Sequence, residues 1–172
     1  MLTKEEFITN KVKLVEQDSI KGKILMMYPL DKEDGNSYPL MYEYEKELIK
    51  LKVKEICDKY KPKRVLEIGY GLGYTAQQFQ DCGVEEHTIV EAHPLIYSDA
   101  CLWGKDYPNV KIIYSFIQEA DIDDNDYDLV FDDRFELVYE DNTEGEEAPR
   151  YKTKGKWNNL FTKEDRAQFK KR

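Results

Sequence analysis

The sequence predicts a single α/β domain with a mostly parallel sheet and flanking helices. Short β-branched and apolar runs recur along the chain, helical segments separate them, and a glycine-rich turn joins one run to its helix. With 172 residues the chain is long enough for one core and short for two. A net charge of −9 argues against non-specific attraction to nucleic acid or to an anionic membrane.

Residues 1–40 are predicted to form a segment that covers the domain. The runs 11–15 and 23–28 have the composition of two strands, and the polar stretch 31–39 that of a loop. The N-terminus lacks the apolar region of a signal peptide, and no apolar run approaches membrane-spanning length. Three scattered cysteines show neither metal-ligand spacing nor an even disulfide set, so we expect a cytoplasmic protein.

Residues 38–60 are predicted to form one helix that packs on the sheet. Its apolar residues recur at intervals of three and four: Met41, Tyr44, Leu48 and Leu51. Pro62 is expected to end the helix before the first strand of the sheet.

Residues 61–91 contain the pattern that is most informative about function. The run 64–68 is typical of a buried parallel strand, and residues 74–80 can form a helix. Between them come three glycines: Gly69, Gly71 and Gly73. Glycine permits a sharp turn with positive φ and the close approach of a ligand. The next strand, 88–90, ends in Glu91, whose carboxylate is placed to accept hydrogen bonds from a ribose diol.

Two details of this turn favour S-adenosylmethionine over a dinucleotide. Turns that bind a pyrophosphate place their third glycine one position later, where this chain has Tyr74. Glu67 also lies just before the first glycine, and its carboxylate suits a cationic ligand better than a phosphate. The alternative is that the glycines only make a tight turn.

The remaining segments complete the predicted sheet. Pro94 suits the first turn of a helix that runs to about residue 103. The runs 110–114 and 127–131 have the composition of the third and fourth strands. After the third strand come Phe116 and Ile117, which either contact a flat apolar base or simply pack inward.

In order and spacing, VLEIGYGLG, EAHP, NVKIIYSFIQE and YDLVFDD resemble motifs of class I S-adenosylmethionine-dependent methyltransferases. Within that class they look most like guanidinoacetate N-methyltransferase and protein-arginine δ-N-methyltransferase. The resemblance implies a Rossmann-like core over residues 41–135, with the tail 136–172 behind it. It also implies a set of cofactor-binding residues: Glu67, Gly69, Tyr70, Gly71, Gly73, Glu91, Ala92, His93, Phe116, Ile117 and Asp132. His93 is expected in a loop at the edge of the cofactor, and His87 in a turn without functional weight.

The resemblance makes Asp133 the catalytic residue, which holds and deprotonates a guanidinium group. A carboxylate pairs with a guanidinium in a bidentate manner and can accept the proton that its nitrogen sheds. Arg134 replaces a small hydroxyl residue of the family pattern, and it either pairs with Asp133 or selects an acidic substrate. Asp132 and Asp133 alternatively hold Mg²⁺, as in catechol-type O-methyltransferases, or form a solvated edge. Loose candidates for a further substrate-binding acid lie in the N-terminal loop: Asp31, Glu33 and Asp34.

The C-terminal part is expected to be truncated relative to a full class I methyltransferase. Between Glu119 and Glu147 there are fourteen acids and one base, whereas nine bases and two acids follow from Arg150 onward. This tail could cover the fourth strand, swap into a neighbour, or bind RNA or an acidic partner, with nucleic acid less favoured. Because an exposed sheet edge needs covering, a homodimer is predicted. Thr162 and Asp165 could cap a short final helix that buries apolar residues of the tail: Trp157, Leu160, Phe161 and Phe169.

Two functions from different classes follow. One is an N-methyltransferase acting on a guanidino-type small molecule or an arginine side chain, with S-adenosylmethionine as cofactor. The other is a non-catalytic binding or assembly module that keeps the methyltransferase fold.

Overall fold

The computed structural model describes residues 3–16, 22–28, 38–134 and 149–165, which form two sheets and four labelled helices. The smaller sheet is antiparallel, in the order β1 (Lys11–Glu16), β2 (Lys23–Tyr28) and β3 (Tyr38–Tyr42). The helices are α1 (Lys4–Thr9), α2 (Lys46–Tyr60), α3 (Tyr74–Asp81) and α4 (Pro94–Gly104).

The larger sheet has six strands: β4 (Arg64–Ile68), β5 (Glu86–Glu91), β6 (Val110–Tyr114), β7 (Leu129–Asp132), β8 (Arg150–Thr153) and β9 (Lys156–Asn159). Their order is β6-β5-β4-β7-β8-β9, with the first four parallel and the last two antiparallel. Helices α3 and α4 connect successive parallel strands, as a parallel sheet requires. The predicted α/β fold with a mostly parallel Rossmann-like sheet is therefore confirmed.

The parallel strands are buried on both faces because their side chains alternate between two apolar clusters. One cluster joins Val65 and Phe131 to Phe79 of α3 and Val53 of α2. The other lies on the opposite face and consists of Leu66, Ile68, Val90 and Val130. This arrangement leaves the ends of the strands as the places where polar side chains collect.

The single helix expected over residues 38–60 is wrong in its first part. Residues 38–42 form β3, which pairs with β2, and the helix begins at Lys46 after a 3₁₀ turn. Met41 is buried as a strand residue, whereas Leu51 is 53% exposed. The buried face of α2 consists of Ile49, Val53, Ile56 and Cys57. The expected apolar face differs from the buried face of α2 because its spacing was counted from Met41, which lies in β3 and not in the helix.

The C-terminal tail covers the fourth strand of the parallel set, one of the alternatives that the sequence left open. β8 pairs with β7, with Thr153 opposite Leu129 and Arg150 opposite Asp132. The predicted cap is confirmed, since Thr162 and Asp165 exchange backbone-to-side-chain hydrogen bonds of 2.8 and 3.1 Å.

Apolar residues of the tail differ in burial. Leu160 and Phe161 are buried, whereas Trp157 stays 41% exposed. Phe169, the loop acids at 31–34 and the acidic stretch 135–148 lie outside the described residues. Within the described ranges, no helix combines the length and the apolar character needed to cross a membrane.

Candidate active site

The glycine turn lies at the carboxyl end of β4, where the backbone closes tightly on the segment after β7. Gly69, Gly71 and Gly73 have φ values of 87°, 56° and 76°, all in the region that favours glycine. A Cβ on Gly69 would lie 2.9 Å from the Asp133 carbonyl oxygen. Because that neighbour is backbone, Gly69 is required for Asp133 to approach the turn.

Two side chains line the inside of the turn. A Cβ on Gly71 would lie 3.0 Å from Met41 Cε, and one on Gly73 would lie 2.5 Å from Tyr70 Oη. Met41 Sδ also lies 3.3 Å from the Leu72 backbone nitrogen. The sequence did not identify Met41 as a site residue because it placed this methionine in a helix.

Glu91 fixes the turn to the end of β5. Its Oε2 accepts a hydrogen bond from the Tyr70 backbone N–H and its Oε1 one from that of His93, both at 2.8 Å. Burial raises the pKa of Glu91, and these hydrogen bonds oppose the rise. The carboxylate therefore has a structural role, and its predicted contact with a ribose stays a prediction.

Glu67 and His87 form a buried pair beneath the turn. Glu67 Oε2 lies 2.9 Å from His87 Nε2, and His87 Nδ1 lies 3.1 Å from Gln80 Nε2. Placing His87 in a turn was wrong, because β5 begins at Glu86 and the ring is buried. Glu67 Oε1 is buried without a hydrogen-bond partner, and burial raises the pKa of Glu67. An unpartnered buried carboxylate oxygen is costly, so it marks a position where a ligand donor would be accepted.

His93 lies in the connection between β5 and α4, as expected, and it is buried there as the N-cap of the helix. Its Nδ1 accepts a hydrogen bond from the Leu95 N–H at 3.3 Å, and its Nε2 lies 2.9 Å from the Asn10 carbonyl oxygen. Both contacts are satisfied when the proton is on Nε2. Burial lowers the pKa of His93, which favours this neutral ring.

The N-terminal helix lies over the residues predicted to contact adenine. Phe7 of α1 packs edge-on against His93, with ring centroids 5.4 Å apart, and lies 6.1 Å from Phe116. Ala92 belongs to the same apolar cluster. Lys4 lies over the Phe116 ring at 4.9 Å and pairs with Glu119. This part of the N-terminal segment thus covers the carboxyl edge of the sheet.

The two acids at the end of β7, Asp132 and Asp133, are in different environments. Asp132 is buried, and its carboxylate lies 3.2 Å from Arg134 Nε and 3.5 Å from Arg150 Nη2. Arg134 thus pairs with Asp132. Burial raises the pKa of Asp133 well above its usual range, and Glu45, Glu67 and Asp132 raise it further.

A cavity of about 410 Å³ adjoins these residues. It brings together Ile117, Asp132 and Arg134, which the sequence analysis had proposed as site residues. The C-terminal hairpin adds Arg150 and Trp157, with the Arg150 guanidinium 4.9 Å above the indole ring. The sequence could not identify these two residues because the pairing of β8 with β7 alone brings them here.

The common electrostatic feature of this edge is a set of acids whose ionised form is disfavoured by burial. Burial is the first cause of a raised pKa at four acids: Glu45, Glu67, Glu91 and Asp133. A cationic ligand would stabilise their ionised forms. Across the described ranges, no group of three or more His, Cys, Asp or Glu side chains is arranged to hold a metal ion.

Comparison with known proteins gives one family match. The family model described as "Guanidinoacetate N-methyltransferase" matches residues 34–144. No curated protein matches the chain at a significant level.

Among solved structures, the chain is similar to the Podospora anserina methyltransferase PaMTH1 bound to SAH, at 26% identity and a TM-score of 0.40 over 49% of this chain and 38% of that one. It is similar to a putative caffeoyl-CoA O-methyltransferase from Staphylococcus aureus at 21% identity and a TM-score of 0.41, over 55% and 59% of the two chains. A spermidine synthase in complex with the transition-state analogue AdoDATO matches at 22% identity and a TM-score of 0.37, over 61% and 41%. The chain thus spans 38% to 59% of the length of these structures.

Proposed function

The chain belongs to the guanidinoacetate N-methyltransferase family, and from this premise we propose that it is an S-adenosylmethionine-dependent N-methyltransferase acting on a guanidino-type small molecule or an arginine side chain. The observation that carries this proposal is the set of buried acids around the glycine turn. Both the cofactor and a guanidinium acceptor are cations. A bound cation would stabilise the ionised forms of these acids, so the site suits a cation better than an anionic ligand.

The residues of the glycine turn fit the proposed cofactor. Glu67 has an unpartnered buried oxygen beside the turn, which suits a cationic amino group. The Asp133 backbone lies so close to Gly69 that this position of the turn has no room for a Cβ. Ile117 lines the neighbouring cavity and would contact the base. When bound, S-adenosylmethionine supplies a methyl group activated by its sulfonium.

Asp133 is the residue proposed to hold the acceptor. Its pKa is raised, so its carboxylate accepts a proton more readily than an ordinary aspartate would. Arg134 pairs with Asp132 in the described structure, and the proposal assigns to the Asp133 carboxylate a bidentate contact with the guanidinium of the acceptor. Asp133 then takes the proton that the acceptor nitrogen loses. The rest of the rate enhancement comes from positioning the two reactants.

A metal-dependent O-methyltransferase is less favoured by the same contacts. Two guanidinium groups already contact the Asp132 carboxylate, and a divalent cation would have to displace or oppose both. A non-catalytic module would show no methyl transfer to any acceptor, and the following experiment measures that turnover.

The test compares Asp133→Asn with Asp121→Asn, an exposed acid in the connection that precedes β7. Cofactor binding is measured by titration calorimetry with S-adenosylmethionine and S-adenosylhomocysteine. Turnover is measured with guanidino acids and arginine peptides. We expect Asp133→Asn to bind cofactor within about twofold of the parent and to lose about 10²-fold or more in turnover, the range of a general base. Asp121→Asn should change neither quantity.

Two results would contradict the proposal in different ways. If the parent protein binds neither S-adenosylmethionine nor S-adenosylhomocysteine, the proposed enzyme activity is contradicted and an assembly module is favoured. If Asp133→Asn binds the cofactor and its turnover is unchanged, the methyltransferase activity is supported and the proposed role of Asp133 is contradicted.

The homodimer and the cytoplasmic location stay predictions. Within the described part of the larger sheet, β6 and β9 are the edge strands and could each pair with a second copy. Sedimentation velocity of the parent chain would test the dimer. A monomer at high concentration would contradict it.

A further inference from the structure

Two lysines adopt a backbone conformation that lysine rarely adopts. Outside the glycines, the described residues with positive φ are Lys61 at 47° and Lys154 at 51°. For a residue with a Cβ this left-handed conformation is unfavourable, and glycine is the usual residue there. Both lysines line the same cavity.

The backbone at each position explains why glycine would be the ordinary choice. Lys61 directly follows α2, at the position where helices commonly end in a left-handed residue. Lys154 is the first residue of the two-residue turn between β8 and β9, a turn with positive φ at both positions. The positive charge of Lys61 also interacts favourably with the dipole at the carboxyl end of α2. Lys154 does not follow a helix, so this reason does not apply to it.

The cavity has a volume of about 410 Å³ and lies at the amino ends of the parallel strands. Val130 lies deepest in the sheet among its lining residues, and two tyrosines, Tyr60 and Tyr127, form part of its walls. The proposed cofactor site is at the carboxyl ends, one strand length away, or about 15 Å. The cavity shares Asp124 and Val130 with the cavity beside Asp132, but no residue of the glycine turn lines it.

Positive charge dominates the lining of this cavity. Its charged residues are four lysines and two aspartates: Lys61, Lys63, Lys152, Lys154, Asp124 and Asp128. Both aspartates already have partners, and so do two of the lysines, since Lys63 Nζ lies 3.1 Å from Glu85 Oε1 and Lys152 pairs with Asp124. Asp128 Oδ2 accepts hydrogen bonds from the Lys63 and Arg64 backbone N–H groups, and Asp124 Oδ2 lies 2.9 Å from Lys152 Nζ.

We propose that this cavity is a second binding site, for a ligand that bears two or more linked phosphate groups. Its volume lies within the range of small-molecule sites. The ammonium groups of Lys61 and Lys154 add positive charge beside the paired Lys63 and Lys152, and several such groups match a compact, multiply charged anion better than a single carboxylate. The phenol of Tyr60 is a further polar group there, and Lys59 followed by Thr153 lowers the pKa of that phenol.

The experiment uses the full chain saturated with S-adenosylhomocysteine, so that the carboxyl edge is occupied. Inorganic pyrophosphate and ADP are titrated by calorimetry, with orthophosphate and citrate as comparison anions. The variants are Lys154→Gly, Lys61→Gly/Lys154→Gly and, as a matched control, Lys105→Ala, an exposed lysine that follows α4. Thermal unfolding is measured on each.

We expect pyrophosphate and ADP to bind saturably, orthophosphate and citrate more weakly. The double variant should lose about tenfold or more in affinity, the size expected for removing two charged contacts, while Lys105→Ala keeps parent affinity. Glycine tolerates positive φ, so Lys154→Gly should also raise the midpoint of thermal unfolding without ligand.

Loss of affinity together with a gain in stability would support a binding role, because a lysine kept for structural contacts would give the opposite stability change. The proposal is overturned if pyrophosphate shows no saturable binding, if citrate binds as tightly, or if the double variant binds like the parent.

Discussion

The two ends of the parallel sheet differ in the charged side chains that collect there. At the carboxyl end, acids surround the glycine turn: Glu45, Glu67, Glu91, Asp132 and Asp133. At the amino end, the cavity beside the hairpin turn is lined with four lysines. A chain with a net charge of −9 thus holds two regions suited to ligands of opposite sign.

The two regions also differ in how their charges are held. Glu67, Glu91 and Asp132 are buried, and apart from Glu67 Oε1 their carboxylates contact backbone N–H groups or neighbouring side chains. Lys61, by contrast, is exposed. Buried acids destabilise the fold until a cation compensates them, whereas exposed cations cost little. Substitutions at the carboxyl end should therefore have the larger effects on stability.

The largest effect is expected for Gly69→Ala, compared with Gly83→Ala. Both positions have positive φ, but a Cβ on Gly83 would have no neighbour within 4 Å, whereas on Gly69 it would meet the Asp133 backbone. We expect a loss of about 1–2 kcal/mol in the free energy of unfolding for Gly83→Ala and about 3 kcal/mol or more for Gly69→Ala. Urea unfolding measures both, and equal losses would mean that the contact with Asp133 is unimportant.

The second effect concerns Glu91→Ala, with Glu86→Ala as the control on the same strand. Removing the Glu91 carboxylate leaves the N–H groups of Tyr70 and His93 without their acceptor. We expect a loss of about 2–4 kcal/mol in the free energy of unfolding. Glu86 is exposed and pairs with Arg64 at the surface, so its removal should cost less than about 1 kcal/mol. A small loss for Glu91→Ala would contradict its structural role.

The third prediction concerns pH at the carboxyl end. Burial raises the pKa of Glu67, Glu91 and Asp133, so between their ordinary and raised pKa values the folded state binds more protons than the unfolded state. Stability should therefore fall as pH rises through that window. A bound cation favours ionisation, so S-adenosylmethionine should bind more tightly as pH rises and should release protons. Calorimetry in buffers of different ionisation enthalpy measures the release, and proton uptake would contradict this prediction.

The smallest effect is expected at the amino end, for Lys154→Gly. Relief of the left-handed conformation should raise the free energy of unfolding by up to about 1 kcal/mol. Urea unfolding beside the parent measures this gain. A loss of stability would show that the Lys154 side chain supports the fold, and the contrast between the two ends would then no longer hold.

Local patterns in the sequence were enough for the centre of the fold. The strand at 64–68, the glycine turn and the helix from Tyr74 were all predicted, because each depends on residues within a few positions of one another. Pro94 likewise begins α4 as expected, since its fixed φ suits a first helical turn. These elements place most of the proposed cofactor residues at one edge of the sheet.

Tertiary structure decided the features that depend on distant partners. Residues 38–42 became a strand because β2 offered a pairing edge, and Met41 thereby reached the glycine turn. His87 is buried because it meets Glu67 on the neighbouring strand. Arg150 contacts Asp132 because β8 pairs with β7. Sequence determines which segments are strands or helices through short-range sterics and periodicity, whereas hydrogen-bond pairing between distant segments decides which side chains meet.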